Sequence, residues 1–415
     1  VSDKKVKKEK KIVELYKTIS LHTLNSLLVI LLLNLIIAGF FWLTDTFFGS
    51  NPNVDLRVLS HREKYSDVDA YTYMAPDEVN RFLDEQDAMG SIGFQHEPWL
   101  QFRNPEFHGI FLNTDFRGFR KTKDPESSEG DPIVIYVFGG STTFGYGVAD
   151  DYTIPSFMQT ILERQYPHSP ILVKNYGQGF YYSTQEMFHL ISLIKENNIP
   201  HVALFIDGAN DSHQLHFMHD QPNFTSIVKD LWNNRGSVSN SDGENGYSWI
   251  PMIRLAKVIS QKLGLAHSSQ KTQYPDYQTE EKNHLTEVQL EANGPSYAVK
   301  RYKSNLRIIR SVCREYGIHC YFVWQPVPFY KYDRSLHLTF PYKGPIPKHW
   351  SVIYKTMKYY SSPDFLYLGE FLANVREKVF VDDVHYNEKF NEKIAAAICE
   401  FMKPDIEGLI FRKYP

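Results

Sequence analysis

Five consecutive apolar residues, Ile133 to Val137, lead through Phe138-Gly139-Gly140 into Ser141, and this stretch constrains the chain more than any other. An unbroken apolar run of that length is the pattern of a strand buried on both faces of a parallel sheet. The glycines then turn the chain sharply, so Ser141 falls at the carboxyl end of a strand, the edge along which open α/β sheets bind their ligands. A hydroxyl there is placed for chemistry; its plainer reading is a serine capping a glycine-rich turn. A phosphate cradle does not fit, because no lysine follows the glycines.

The same rhythm repeats downstream. Tyr152 to Gln165 reads as a helix with Ile154, Phe157, Met158, Ile161 and Leu162 on one face. Ile171 to Val173 reads as a short strand ending at Asn175-Tyr176-Gly177-Gln178-Gly179, and Ser183 or Thr184 as the cap of a helix running to about Asn197. Val202 to Ile206 is a third buried strand, ending at Asp207-Gly208-Ala209-Asn210-Asp211. Such alternation implies βαβ units around a parallel sheet. From His213 to about Ser296 the rhythm breaks: polar tracts at Asn233–Ser248 and His267–Asn283 flank an apolar helix candidate, Ile250 to Leu263. An insertion beginning past a strand end is placed to form a lid or substrate wall, or is solvated decoration. The pattern returns with a helix from Tyr297 to Tyr316 and a strand from His319 to Trp324, stopped by Gln325-Pro326. Val379 to Val381 then leads into Asp382-Asp383-Val384-His385, and a last helix runs from about Lys389 to Met402.

With 415 residues, 42% of them hydrophobic, the chain has material for one large domain and an accessory region. A formal charge of -3 provides no basic field, which argues against nucleic acid as a partner. No HExxH or CxxC spacing occurs, so neither a metal site nor any other cofactor is indicated. Three cysteines, Cys313, Cys320 and Cys399, allow at most one internal disulfide, and buried thiols are the default.

Seven lysines lie in the first 17 residues, and no Asp, Glu, Lys or Arg follows from Thr18 to Thr44. Leu24 to Leu43 is long enough to cross a bilayer as a helix. The lysines predict a cytoplasmic N-terminus, with everything after Asp45 extracytoplasmic, whether periplasmic or extracellular. A cleaved signal peptide is the alternative, although Gly39 to Leu43 shows no small-residue cleavage site. The expected organisation is a basic N-terminus over 1–20, a transmembrane helix over 21–44, an accessory or stalk region over 45–130, and an α/β domain over 131–415 with an insertion at 213–296. Pro76 to Asp87 within the stalk reads as a short helix and Glu97 to Arg120 as strands or an extended wrap, packed on the main domain and setting its distance from the membrane.

Four chemical groups lie after expected strand ends: Ser141, the amides of Gly177 to Phe180, Asn210, and the pair Asp382 and His385. A parallel sheet collects such ends along one edge. Serine needs a positioned base to act as a nucleophile, and a histidine oriented by a carboxylate supplies one. The spacing of Asp382 and His385 puts both on one side of a turn, with Asp383 the other candidate acid. His189, His201 and His213 lack a carboxylate at a strand end and read as core or surface histidines. Arg103, Arg117 and Arg120 read as loop residues and Tyr181, Tyr182 and Trp324 as core, against roles in anion or substrate binding.

On these residues the chain resembles the SGNH (GDSL-like) hydrolase family, whose blocks appear in order over roughly 133–402. Gly140-Ser141-Thr142-Thr143 is similar to the nucleophile block, with Thr where many members carry Asp. Asn175 to Phe180 is similar to the second block, with Gly179 or Phe180 at the oxyanion position. Gly208-Ala209-Asn210-Asp211 is similar to the third, and Asp382 to His385 to the last. The resemblance implies a flavodoxin-like three-layer α/β/α sandwich with a parallel sheet. It implies Ser141 as nucleophile, His385 as base and Asp382 as its orienting acid, with the Ser141 N–H, the Gly179 N–H and the Asn210 side chain holding an oxyanion. The expected activity is that of a membrane-anchored serine esterase or O-acyltransferase on an acylated envelope glycan or lipid, with a membrane protein partner possible through the helix or the insertion. The opposing expectation is a non-catalytic subunit that keeps the fold as a scaffold.

Overall fold

The computed structural model describes residues 2–48, 70–125, 130–217, 287–337, 346 and 348–414. The chain divides into two units, one holding the N-terminal helix and the other the sheet. Helix α1 spans Ser2–Phe48, and within it Glu14–Gly39 has a mean hydropathy of 2.1 over its apolar window. That segment is long and apolar enough to cross a membrane, a criterion that a signal sequence also meets.

The second unit begins with α2 (Pro76–Ile92), the antiparallel pair β1 (Gln95–Glu97) and β2 (Gln101–Arg103), and the short pair β3 (Phe107–His108) and β4 (Asn113–Thr114). The main rhythm follows: β5 (Ile133–Gly139), α3 (Ser141–Phe144), α4 (Ile154–Gln165), β6 (Ile171–Gly177), α5 (Ser183–Lys195), β7 (Val202–Asp207) and α6 (Ala209–Phe217). It closes with α7 (Glu287–Glu315), β8 (His319–Trp324), α8 (Lys348–Lys358), β9 (Phe365–Tyr367) and α9 (Glu388–Lys413).

The five long-range strands form one parallel sheet in the order β6-β5-β7-β8-β9. Renumbered along the sheet this is 2-1-3-4-5, the flavodoxin-like order, whose switch point lies between the first and third strands. Alternate side chains of each strand enter opposite layers. Tyr136, Phe138, Phe205, Phe322 and Trp324 pack under α5, α7 and α8, while Ile133, Ile135, Val137, Leu204 and Ile206 pack under α4 and α9. The protein is thus a three-layer α/β/α sandwich. Among the described residues of the accessory region, Val79, Phe82, Leu83 and Met89 of α2 share one core cluster with Phe144, Ala149 and Val381 of the main domain. At the sheet edge, Gln159 of α4 accepts from Val173 N at 2.7 Å and donates to Ile171 O at 2.9 Å, closing bonds that β6 would otherwise leave open.

Several expectations change. The fifth strand is Phe365–Tyr367, a three-residue stretch with too little apolar pattern to stand out. Val379 to Val381 forms no strand; it joins Tyr386 through the single bridge Phe380–Tyr386. Neither Ser183 nor Thr184 caps α5 through its side chain: the cap residue is Tyr182, and the Ser183 hydroxyl instead donates to Asp211 at 2.5 Å. Helix α7 starts earlier and α9 ends later than their apolar periodicity indicates, the latter running through Pro404. The insertion candidate Ile250 to Leu263 and its flanking tracts lie outside the described residues. All three cysteines are free thiols, with Cys313 and Cys399 buried.

Candidate active site

Ser141 is the first residue of α3, two positions past the end of β5 at the switch point. Gly140 before it admits no side chain: a Cβ there would stand 2.3 Å from Asn210 Nδ2 and 3.0 Å from Tyr181 O. The Asn210 amide therefore lies directly over the nucleophile turn, where it donates to Tyr181 O at 2.7 Å and keeps a second N–H. Asn210 follows β7, Gly179 follows β6 and Ser141 follows β5, so the sheet brings all three to one edge. The N–H groups of Ser141 and Gly179 have no hydrogen-bond partner among the described residues.

His385 and Asp382 sit on a loop closed on itself. Val381 N donates to His385 O at 2.9 Å, Asn387 N donates to Val379 O at 2.8 Å, and Asn387 Nδ2 ties the loop to Ala70 O and Lys378 O, each at 3.0 Å. Asp382 Oδ1 accepts from Val384 N at 2.9 Å and from His385 N at 2.7 Å, while Oδ2 lies 2.5 Å from His385 Nδ1. A carboxylate only accepts, so Nδ1 carries the proton and Nε2 presents a lone pair. Burial opposes ionisation of Asp382, but the electrostatic attraction and hydrogen bond of the adjoining His385 ring, with the two backbone donors, outweigh it and hold the carboxyl well below the usual range. His385 Nε2 is buried and makes no hydrogen bond among the described residues, Ser141 included.

Two links bring the imidazole loop to the nucleophile turn. The Tyr146 ring, just past α3, lies 5.6 Å from the His385 ring. Gln325, just past β8, takes a hydrogen bond from Thr142 Oγ1 at 2.7 Å and has the Tyr386 hydroxyl 3.3 Å from the same oxygen, that hydroxyl also donating to Pro326 O. The neighbours of Ser141 and of His385 thus share one side chain. Asp382, not Asp383, faces the ring.

The remaining candidates take structural places. His189 is buried and stacked on Phe119, and burial lowers it to about 3. His201 Nδ1 accepts from Val134 N. Arg103 pairs with Glu97 at 3.3 Å and Arg117 with Glu196 at 2.8 Å. Arg120 is buried, bound to Asp150 and to the carbonyls of Gly145 and Val148. Tyr181, Tyr182 and Trp324 belong to the core. Reading the sequence missed Tyr146, Asn104, Gln178 and Gln325. Gln178 and Gln325 stand immediately past strands, which was a usable signal; Asn104 carried none. A groove of about 730 Å³ beside β6, lined by Lys121, Lys123, Lys174 and Asn175, includes none of Ser141, Asn210 or His385 and belongs to no chemistry described here.

Beneath Asn210 lies a buried acid cluster. Tyr302 OH donates to Asp207 Oδ2 at 3.0 Å, Asn305 Nδ2 donates to Ser183 Oγ at 2.9 Å, and Ser183 in turn donates to Asp211. Burial pushes Glu186 and Asp207 well above the usual carboxylate range, helped by their neighbouring carboxylates, and pushes Asp211 up to about 6. The fold therefore keeps protons that the unfolded chain releases above about pH 4. Their contribution to stability is full below that pH and is lost as pH rises toward the folded pKa values. The melting temperature is expected to fall between pH 5 and pH 8, and Glu186→Gln with Asp207→Asn to flatten that slope. An unaltered slope would show the pair ionised in the fold. No group of three or more His, Cys, Asp or Glu side chains among the described residues is arranged to hold a metal ion.

The fold is that of a flavodoxin-like α/β protein, with Ser141 at its switch point and an Asp382–His385 pair on a loop linked to the same turn through Tyr146 and Gln325. No family model matches the chain, and no curated protein matches it. Among solved structures it is similar to a psychrotrophic esterase from Pseudoalteromonas sp., at 13% identity and a TM-score of 0.33, over 66% of this chain and 99% of that one. A putative acylhydrolase from Bacteroides fragilis is similar at 11% identity and a TM-score of 0.34, over 69% and 92% of the two chains. A lipase from goat rumen metagenome is similar at 12% identity and a TM-score of 0.36, over 65% and 97%.

Proposed function

We propose that the protein is a serine esterase or O-acyltransferase of the SGNH type, held at a membrane by α1. The observation that carries this is the Asp382–His385 dyad, its Nε2 lone pair free, on a loop linked twice to the turn that bears Ser141. Ser141 Oγ attacks an ester carbonyl and gives its proton to His385 Nε2. The tetrahedral oxyanion takes the Ser141 N–H, the Gly179 N–H and the second Asn210 Nδ2 proton, each worth about 3 to 4 kcal/mol of barrier. Collapse breaks the C–O bond, and the imidazolium returns its proton to the departing alkoxide. The acyl-enzyme then passes its acyl group to water or to an acceptor hydroxyl, activated by the same imidazole. An approach of His385 to Ser141 completes the site on substrate binding, since catalytic hydrogen bonds often tighten only in the complex.

The lysines at the start of α1, ahead of its apolar stretch, favour a cytoplasmic N-terminus with the sheet on the other side of the membrane, and hence an acylated envelope glycan or lipid as substrate. The missing hydrogen bond between Ser141 and His385 favours a second reading, a scaffold subunit without catalysis. The full chain in detergent, treated with a fluorophosphonate probe and with p-nitrophenyl acetate, decides between them. Labelling at Ser141 together with turnover is expected. Well-folded protein that neither labels nor turns over ester establishes the scaffold.

A further inference from the structure

Outside the α/β/α core, the segment from Phe94 to Arg120 reaches the candidate site, and one of its residues touches two of the site's parts. Asn104 is 0% exposed. Its backbone N–H and its Nδ2 both donate to Gln178 Oε1 at 2.8 Å, and its Oδ1 accepts from Tyr146 OH at 2.7 Å. We propose that Asn104 is a positioning residue that sets the oxyanion turn at Gly179–Phe180 and the Tyr146 wall of His385 in one arrangement.

The turn is a short span between two anchors. On one side Gln178 N donates to Gly139 O at 3.0 Å and Gln178 Nε2 donates to Gly118 O at 2.9 Å, while its Oε1 is held by Asn104. On the other side Tyr181 OH donates to Phe102 O at 2.5 Å, and Tyr181 O accepts from Asn210. Phe180 lies between them at φ 65°, a left-handed conformation that bulky residues rarely adopt. The residue is 46% exposed and meets the Phe94 ring edge-on at 5.9 Å, so the anchors on either side, rather than burial, define the turn. Both anchors reach into the segment 102–118, outside the sheet.

The same carboxamide governs the imidazole side. The Tyr146 ring stands between Gly179 and His385: a Cβ on Gly179 would come within 3.1 Å of its ring edge and hydroxyl. Holding the Tyr146 hydroxyl therefore fixes the spacing between the oxyanion turn and the base. The segment read from sequence as a stalk is part of the site's frame, and its effect on catalysis rests on the serine-hydrolase reading above.

Two readouts on the full chain in detergent separate this proposal from that reading. Asn104→Leu removes both side-chain links, Asn104→Asp replaces the side-chain donor to Gln178 by an acceptor that opposes Gln178 Oε1 while keeping the acceptor for Tyr146, and Tyr146→Phe removes only the hydroxyl; the backbone N–H of residue 104 still reaches Gln178 in all three. Amide hydrogen exchange over residues 177–182 is expected to rise at least about tenfold in Asn104→Leu and in ionised Asn104→Asp, with β5 and β7 unchanged, and to stay near wild type in Tyr146→Phe. Acidification, which restores a donor to Asn104→Asp, is expected to reverse its loss. Fluorophosphonate labelling at Ser141 slows about tenfold or more in both Asn104 variants while KM for p-nitrophenyl acetate moves less than twofold. Wild-type exchange over 177–182 in a folded Asn104→Leu overturns the proposal; if that variant does not fold, Asn104→Asp at alkaline pH decides by the same measurement. A wild-type protein that never labels at Ser141 overturns the serine-hydrolase reading alone, and the exchange comparison still decides the role of Asn104.

Discussion

Ser141→Ala is expected to lower p-nitrophenyl acetate hydrolysis by at least about 10³-fold and to abolish fluorophosphonate labelling. The reason is structural. The hydroxyl stands at the start of α3, with the Asn210 amide packed over the glycine before it, and no other described serine shares that place. His385→Ala is expected to cost nearly as much, and the double variant little more than either single one, because a nucleophile and its base act as a unit. Residual catalysis by the donors alone survives at a low level. Turnover within tenfold of wild type in Ser141→Ala, from protein purified free of host esterases, excludes Ser141 as the nucleophile.

Asp382→Asn is expected to cost on the order of 10⁴-fold in kcat while leaving the fold intact. Oδ1 of Asp382 is committed to the Val384 and His385 backbone N–H groups, so in the variant the amide oxygen keeps that place and the amide nitrogen faces the ring. Nδ1 must then accept, the proton moves to Nε2, and the imidazole can no longer take one from Ser141. The pH dependence has a definite sign. The depressed pKa of Asp382 contributes stability that is present above its unfolded value near 4 and is lost only as pH falls through the folded value. Wild type is therefore expected to lose this contribution in acid below about pH 4, and Asp382→Asn to show no such loss. A kcat within about threefold of wild type in the Asn variant would remove Asp382 from the mechanism.

Four of the five sheet strands could be read directly, because runs such as Val202–Ile206 are buried at every position and carry an unbroken apolar signal. The fifth, Phe365–Tyr367, could not: three residues pair only with β8 and are drawn into the sheet by their neighbours. The loop bearing Asp382 and His385 showed its chemistry through spacing but hid its structure, since a single β-bridge leaves no periodicity. Ser141, Gly179 and Asn210 were legible for a common reason: each follows a strand through glycine. Asn104 and Tyr146 were not, because what they do is decided by partners 42 and 74 positions away. Ser183 shows the same limit at close range. A local cap was the natural expectation, and a carboxylate from the next strand–helix unit, Asp211, took the hydroxyl instead.

The proposed nucleophile and base are carried on pieces of unequal toughness. Ser141 issues from an interior strand of the sheet, paired on both sides, whereas His385 rides on a loop fastened by one bridge, by the Asn387 side chain and by the buried Phe380 and Tyr386 that flank it. On warming, the loop should loosen while the sheet still stands. Fluorophosphonate labelling of Ser141 is therefore expected to fall on warming before the sheet melts, and to return on cooling.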